Sequence, residues 1–158
     1  MNQDDNWTPH SVIYLKSKHI AFEVIVLPLD PRSAEDTATA CDCDLAQVLK
    51  TLLFVDPLGP VFVVAPGDRR VSSTKLAAFT KLKRLRMARA HEVLAHTGCP
   101  IGQVSPFSSL TAQWKLLDAS IFSLNRVVIG SGKPSTLISL TKEALVSAWT
   151  GQVADIVE

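Results

Sequence analysis

Several familiar signatures of chemistry are missing from this chain of 158 residues. It has no Walker-type phosphate loop and no G-x-G-x-x-G, so the commonest sequence signs of a nucleotide-binding loop are absent. It has no H-E-x-x-H of a zinc hydrolase and no G-x-S-x-G nucleophile elbow. The four histidines, His10, His19, His91 and His96, are scattered. His91 and His96 are spaced five apart, which suits a shared helix face poorly. No Cys/His or Ser/His pair favours a nucleophilic triad, and no metal or other cofactor is expected. Cysteine is scarce: Cys41, Cys43 and Cys99 lack the paired spacing of a structural zinc site, and an odd count argues against a disulfide framework. Cys41 and Cys43 are expected to pack at a helix end. Long apolar runs are also lacking, none approaching the ~20 residues needed to cross a membrane. The opening Met1-Asn2-Gln3-Asp4-Asp5 is polar and acidic, unlike a secretion signal or transit peptide, so a cytoplasmic location without a membrane partner is expected.

What is present fits one globular domain. Apolar residues make up 47% and charged residues 20%, the balance of a chain that buries a real core. The net charge of +1 conceals a division: residues 1–56 carry nine acids and four bases, residues 57–158 six acids and twelve bases. That polarity would orient a polyanion on one face, or would follow from ordinary scatter of surface charge.

The pattern predicts an α+β domain with a curved mixed sheet of about six or seven strands surrounded by helices. A helix is predicted from Thr8, as cap, and Pro9 to about Lys18. A strand follows over Ile20–Val26, and Ser33-x-x-Asp36 resembles a capping box opening a short helix. Asp44 is expected to cap a turn over Leu45–Leu49. Lys50-Thr51-Leu52-Leu53-Phe54-Val55 reads as a buried strand, with a turn at Asp56-Pro57-Leu58-Gly59 and a return strand Val61–Ala65. Ser72 or Ser73 caps a helix through Phe79. Leu82–Ala88 reads as a strand and Ala90–Thr97 as a helix ended by Gly98. Residues 98–110 have no period; a Gly/Pro loop of that length inside a domain is a candidate for function. Strands near Gln113–Leu117, Val127–Ile129 and Thr136–Ser139 precede a helix opened at Thr141 and ended by Gly151.

Three features merit a functional reading. Lys50 stands at the entry to an apolar strand; it either snorkels from the strand end or points its ammonium into a cleft. Gly102-Gln103-Val104-Ser105-Pro106 joins a residue that lets backbone approach a ligand to one that stiffens the turn, and backbone N–H groups so held can stabilise an oxyanion. Gly130-Ser131-Gly132-Lys133-Pro134 reads as a hairpin turn or as a second pocket wall.

Lys50-Thr51-Leu52, Thr97-Gly98, Gly102-x-x-x-Pro106, Asp118, Gly130-Ser131-Gly132 and Gly151-Gln152-Val153-Ala154-Asp155 occur in the order and spacing seen in one family. Over residues 9–157 the chain resembles the YbaK/prolyl-tRNA-synthetase-associated, EbsC-like aminoacyl-tRNA deacylase editing domains. The resemblance implies a deacylase domain over 9–158 behind a flexible extension of residues 1–8. It implies hydrolysis, without a metal, of a small amino acid wrongly attached to tRNA, most often the tRNA for proline, with a synthetase as a further partner. It implies a substrate-assisted reaction in which the terminal ribose hydroxyl helps activate water. By position, Lys50 matches the essential lysine, and Gly102 the residue whose backbone N–H meets the developing oxyanion. Pro106 fixes that loop. Gly130, Ser131 and Gly132 form the small-residue turn beside the amino-acid pocket, Thr51 lines it, and Asp118 matches an acidic position of some members.

The departures are Gln103, where members often have a second Gly, and Ser131 in place of one Gly of the later turn. Phe107, Ser108 and Ser109 stand where some members carry His after the Pro, and Cys99 occupies a variable place. The bases Lys81, Lys83, Arg84, Arg86 and Arg89 suit a tRNA acceptor stem. As a strand the segment would turn Lys81 and Lys83 to one face and Arg84 and Arg86 to the other; a solvated, charge-guarded edge is the alternative. Two rival readings stand beside the deacylase: a catalytically weak module that binds tRNA ends or a synthetase, and a hydrolase of small non-tRNA esters.

Overall fold

The computed structural model describes residues 7–108 and 112–158; most of the extension expected over 1–8, and Ser109, lie outside the described residues. The first helix, α1, is His10–Ser17. Pro9 rather than Thr8 stands at its cap: the extended Pro9 backbone sends its carbonyl to Val12 N–H at 3.0 Å, and no side chain caps this end. Strand β1 is Glu23–Val26, shorter than the alternation suggested. Helix α2 is Ala34–Ala40, capped by Ser33, whose Oγ accepts from Asp36 N–H at 3.0 Å. A 3₁₀ turn, Leu45–Gln47, leads into the hairpin of β2, Leu49–Asp56, and β3, Gly59–Pro66.

Helix α3, Ser73–Thr80, is capped by Ser72. The strand expected over Leu82–Ala88 shrinks to β4, Arg86–Met87. Its first half is a turn: Lys81 is left-handed at φ 63°, Leu82 N–H bonds back to Thr80 Oγ1, and Arg84 N–H is held by the Asp56 carboxylate at 2.9 Å. Helix α4, Ala90–Thr97, β5, Trp114–Asp118, β6, Arg126–Gly130, and β7, Thr136–Thr141, follow. Helix α5, Lys142–Ala148, is capped by Thr141 and stops at Ala148, before Gly151; β8, Gln152–Ala154, closes the described elements.

The class is α+β, as expected, with the strands divided between two sheets. One has the order β4-β2-β3-β5-β8 and the other β1-β7-β6. In the larger sheet β3–β5 and β5–β8 are parallel and the other pairs antiparallel. A single bridge, Val48 to Val128, links the sheets at the start of β2. Strand β3 runs through the middle with both faces covered, which is why Val61–Ala65 reads as an unbroken apolar run. Phe62 and Val64 join Leu53, Val55, Leu117, Ile129 and Ile138 between the sheets. Val61, Val63 and Ala65 join Phe54, Leu76, Leu116 and Ile156 on the far face. Among the described residues no helix is long and apolar enough to cross a membrane.

Candidate active site

A cleft of about 410 Å³ opens where β2 and β6 diverge beyond their single bridge, a volume within the usual range for small-molecule sites. Its walls are Val48 and β2 from Leu49 to Leu53, the Met87-Ala88 corner, Ile101–Val104, Val128–Gly130, and residues 30–34 before and in α2. Consecutive rather than alternate residues of β2 line it, because the cleft meets that strand at its edge rather than at one face.

Lys50 lies on this wall, half-buried, in register with Ala65 of β3. Among the described residues its ammonium makes no hydrogen bond or ion pair. Burial holds its pKa below the ordinary lysine value, against the weaker opposing pull of Asp68 and Glu35. Lys50 is thus among the residues that line the cleft. Thr51 follows it on the same wall.

The facing wall is the loop that begins at Cys99. Gly102 sits at φ +86°, a conformation that side-chain-bearing residues rarely adopt, and it is exposed to the cleft with Gln103 and Val104 beside it. The remainder of the loop is pinned from below. Ser105 is 1% exposed; its hydroxyl accepts from Ser11 Oγ of α1 and from Phe107 N–H at 3.0 Å. Ser108 Oγ donates to the Ser105 carbonyl at 2.8 Å. Phe107 stacks on Tyr14 at 5.2 Å between centroids, and Tyr14 in turn donates to the Ala148 carbonyl. At the entry, Thr97 Oγ1 accepts from Cys99 N–H. Pro106 is buried within this pinned part and lies outside the cleft lining.

Gly130 completes the third wall. A Cβ there would stand 3.0 Å from the Val104 carbonyl oxygen and 3.2 Å from that of Gln103, so a glycine is what lets the two loops meet. Ser131 and Gly132 are not in the lining. Ser131 Oγ donates to the Thr136 carbonyl at 2.6 Å and accepts from Lys133 N–H at 3.1 Å, closing its own turn. Its polarity is thus not presented to the cleft, and the departure at Ser131 is a matter of turn structure. Gly132 abuts Cys99, whose Sγ lies 3.3 Å from where a Cβ would stand.

Gln103 is the departure that does reach the cleft. Its Nε2 lies 3.5 Å from Asp30 Oδ2, a long contact, and its Oε1 is buried with no partner among the described residues. Asp30 had no signal in the sequence beyond its place before Pro31; it lines the cleft and accepts from Ser135 N–H at 2.9 Å.

Two groups of expected residues stand apart. Asp118 is fully buried at the end of β5, where its carboxylate accepts from Ser120 N–H, Ser120 Oγ and Ile156 N–H, tying β5 to the C-terminal segment. The structure does not bring it to the cleft. In the basic segment Lys81, Lys83, Arg84 and Arg86 are all exposed, but not equivalent. Arg86 is engaged by Glu92 through two bonds of 2.7 and 2.9 Å, which hold the Glu92 carboxyl down to about 2. No cluster of three or more His, Cys, Asp or Glu side chains that would hold a metal occurs among the described residues, and no histidine lines the cleft.

The chain is similar to known proteins over most of its length. Residues 30–148 match the model of the aminoacyl-tRNA editing domain. EbsC of Enterococcus faecalis, provisionally named a Cys-tRNA(Pro)/Cys-tRNA(Cys) deacylase, is 30% identical over 128 residues, 80% of this chain and 78% of EbsC. A proline–tRNA ligase of Thermosipho africanus is 28% identical over 125 residues; the match takes in 77% of this chain but only 22% of the ligase. A crystal structure described provisionally as a trans-editing enzyme for prolyl tRNA synthetase superposes with a TM-score of 0.79 at 28% identity, covering 92% of each chain. The extent of these matches leads to one assignment: the chain belongs to the aminoacyl-tRNA editing domain family.

Proposed function

We propose that this protein is a trans-editing hydrolase that cleaves the ester between a small amino acid and tRNA, with the tRNA for proline as its substrate. The observation that carries the reading is Lys50: a half-buried ammonium with no partner among the described residues, in the cleft that Gly102 also lines, in a chain of the editing family. Such a cation is costly unless an anion arrives to meet it. The terminal phosphate of the tRNA, or the oxygen on which charge develops as water attacks the ester carbon, would supply one.

The exposed Gly102 N–H, at a fixed left-handed turn, is the donor for that oxygen. No histidine stands at the cleft, and Asp30 is engaged with Ser135 and Gln103. In this reading, as the resemblance to the editing family implies, the departing ribose oxygen and the attacking water exchange protons through the substrate's neighbouring hydroxyl. A second catalytic site for small amino acids has a physical rationale, since binding alone separates one methylene by only ~1–3 kcal/mol. The exposed Lys81, Lys83 and Arg84 precede Met87 and Ala88 at the cleft mouth, which suits contacts with acceptor-stem phosphates. A synthetase that delivers the charged tRNA is the partner this reading calls for.

The test is deacylation of proline tRNA carrying alanine, cysteine, serine or 2-aminobutyrate, and of alanine tRNA carrying serine. Rapid loss of one ester supports the reading and identifies the amino acid. Stability of all of them with folded protein overturns it and favours the binding-module reading. Gln103, which fills cleft space where a glycine would leave it open, is the residue that favours that alternative.

A further inference from the structure

The edge of β2 has a gap. In the β2–β3 hairpin the two-residue turn Pro57-Leu58 makes Asp56 and Gly59 the closing hydrogen-bonded pair. Alternation then directs the N–H and C=O of Phe54, Leu52 and Lys50 toward β3, and those of Val55, Leu53, Thr51 and Leu49 toward the opposite edge. That edge is covered at both ends. Val55 is in register with Arg86 of β4, and the Leu53 carbonyl accepts from Ala88 N–H at 2.9 Å. At the other end Val48 is bridged to Val128 of β6. Between them Thr51 is paired with no strand on this side among the described residues, and the space its N–H and C=O face is the cleft, lined on its two sides by Met87-Ala88 and by Val128–Gly130.

A strand edge left unpaired at Thr51 is a template for a residue of an extended chain. We propose that the main chain of Thr51 binds the aminoacyl group as a single residue of an antiparallel strand: the substrate's α-ammonium donates to the Thr51 carbonyl, and the ester carbonyl oxygen accepts from Thr51 N–H. This rests on the deacylase reading and extends it to a substrate class, esters of a free α-amino acid. The contact is blind to the side chain, which leaves choice of amino acid to the rest of the cleft. It also sets the ester carbonyl against the same wall as Lys50. N-acylated and peptidyl esters fall outside the class, because the amide nitrogen that replaces the ammonium has lost its charge and carries a bulky acyl group.

The experiment compares matched esters on the same tRNA: alanine against lactate and serine against glycerate, where a hydroxyl replaces the ammonium. Each rate is divided by the uncatalysed hydrolysis of the same ester, since the ammonium itself activates the bond. The wild-type protein is expected to accelerate the amino ester about 10- to 100-fold more than its hydroxy counterpart, the range for one hydrogen bond to a charged group. Thr51→Pro deletes the N–H at a position where no ladder bond is lost, so it is expected to fold, as proline does on sheet edges, and to reduce kcat/KM at least about tenfold. Thr51→Val, which retains the N–H, should exceed Thr51→Pro by a similar factor. Equal acceleration of amino and hydroxy esters overturns the proposal, as does a folded Thr51→Pro with wild-type rates. Should Thr51→Pro fail to fold, the comparison of esters with wild-type protein decides alone. Hydrolysis of none of the esters overturns the deacylase reading and this proposal with it, whereas hydrolysis of both esters equally removes only this one.

Discussion

Two irregular segments carry the most conspicuous short motifs of this chain, and they have opposite fates. The loop 98–108 is tied down from beneath by α1, through Ser11 on Ser105 and Tyr14 on Phe107, and only its tip from Ile101 to Val104 meets the cleft. The segment 81–86 packs Leu82 and Leu85 against the far-face core, is tied at its backbone to Thr80 and Asp56, and turns its charged side chains to solvent or to Glu92. Irregular chain becomes a site where its tip meets a cleft. Where its outward side chains meet only water, charge spreads over a surface and acts at long range.

The contrast can be broken at several points. The largest effect on the fold is expected from Phe107→Ala, which removes the stack on Tyr14 and leaves a cavity under the loop. A cost of about 3 kcal/mol is anticipated, read as a shift of the denaturation midpoint, with ester hydrolysis falling as the tip loosens. Gly130→Ala comes next. Its methyl group must displace the Val104 and Gln103 carbonyls, at a cost of about 1–3 kcal/mol, and deacylation should fall more than stability because the displaced carbonyls belong to the cleft wall.

A smaller effect is expected from Lys50→Met. Burial lowers the Lys50 pKa, so between that value and the unfolded value of about 10.5 the unfolded chain binds more protons, and stability rises with pH. The penalty of burying the charge is complete below the folded pKa. Lys50→Met should therefore raise the melting temperature at neutral pH, and its advantage should shrink as pH approaches 10.5. Glu92→Gln acts in the opposite direction and elsewhere. With the Glu92 carboxyl held at about 2 against an ordinary 4.5, its contribution is present above 4.5 and is lost as pH falls toward 2. Acid titrations of wild type and Glu92→Gln should differ in that window and converge below it. The smallest effect belongs to Lys83→Ala with Arg84→Ala: a few-fold weaker tRNA affinity that fades as salt rises, with hydrolysis of bound substrate unchanged.

Much of this was legible in the sequence where local rules and tertiary packing agree. The β2–β3 hairpin, the Ser33, Ser72 and Thr141 caps and the irregular 98–108 loop all follow from turn chemistry and apolar runs. Lys50 could be singled out because a lysine at the mouth of an apolar strand is anomalous. Other features are set by partners distant in sequence. Nothing near Asp118 announces that Ile156 N–H will claim its carboxylate, and nothing near Ser131 announces that the Thr136 carbonyl will take its hydroxyl. The truncation of the 82–88 strand depends on Asp56 reaching Arg84 N–H across the hairpin. Asp30 enters the cleft only because β7 brings Ser135 to it. The division of strands between two sheets likewise rests on non-local pairing, which alternation alone does not encode.

The central claim is that the cleft between Lys50 and Gly102 is where the ester is hydrolysed. The most direct test is single-turnover deacylation of the best substrate by wild type and by Lys50→Ala, with melting curves for both. The expected result is a fall of about 10²- to 10³-fold in the rate, as for loss of one electrostatic contact to the transition state, at unchanged or slightly raised stability. A folded Lys50→Ala protein that retains the wild-type rate would contradict it.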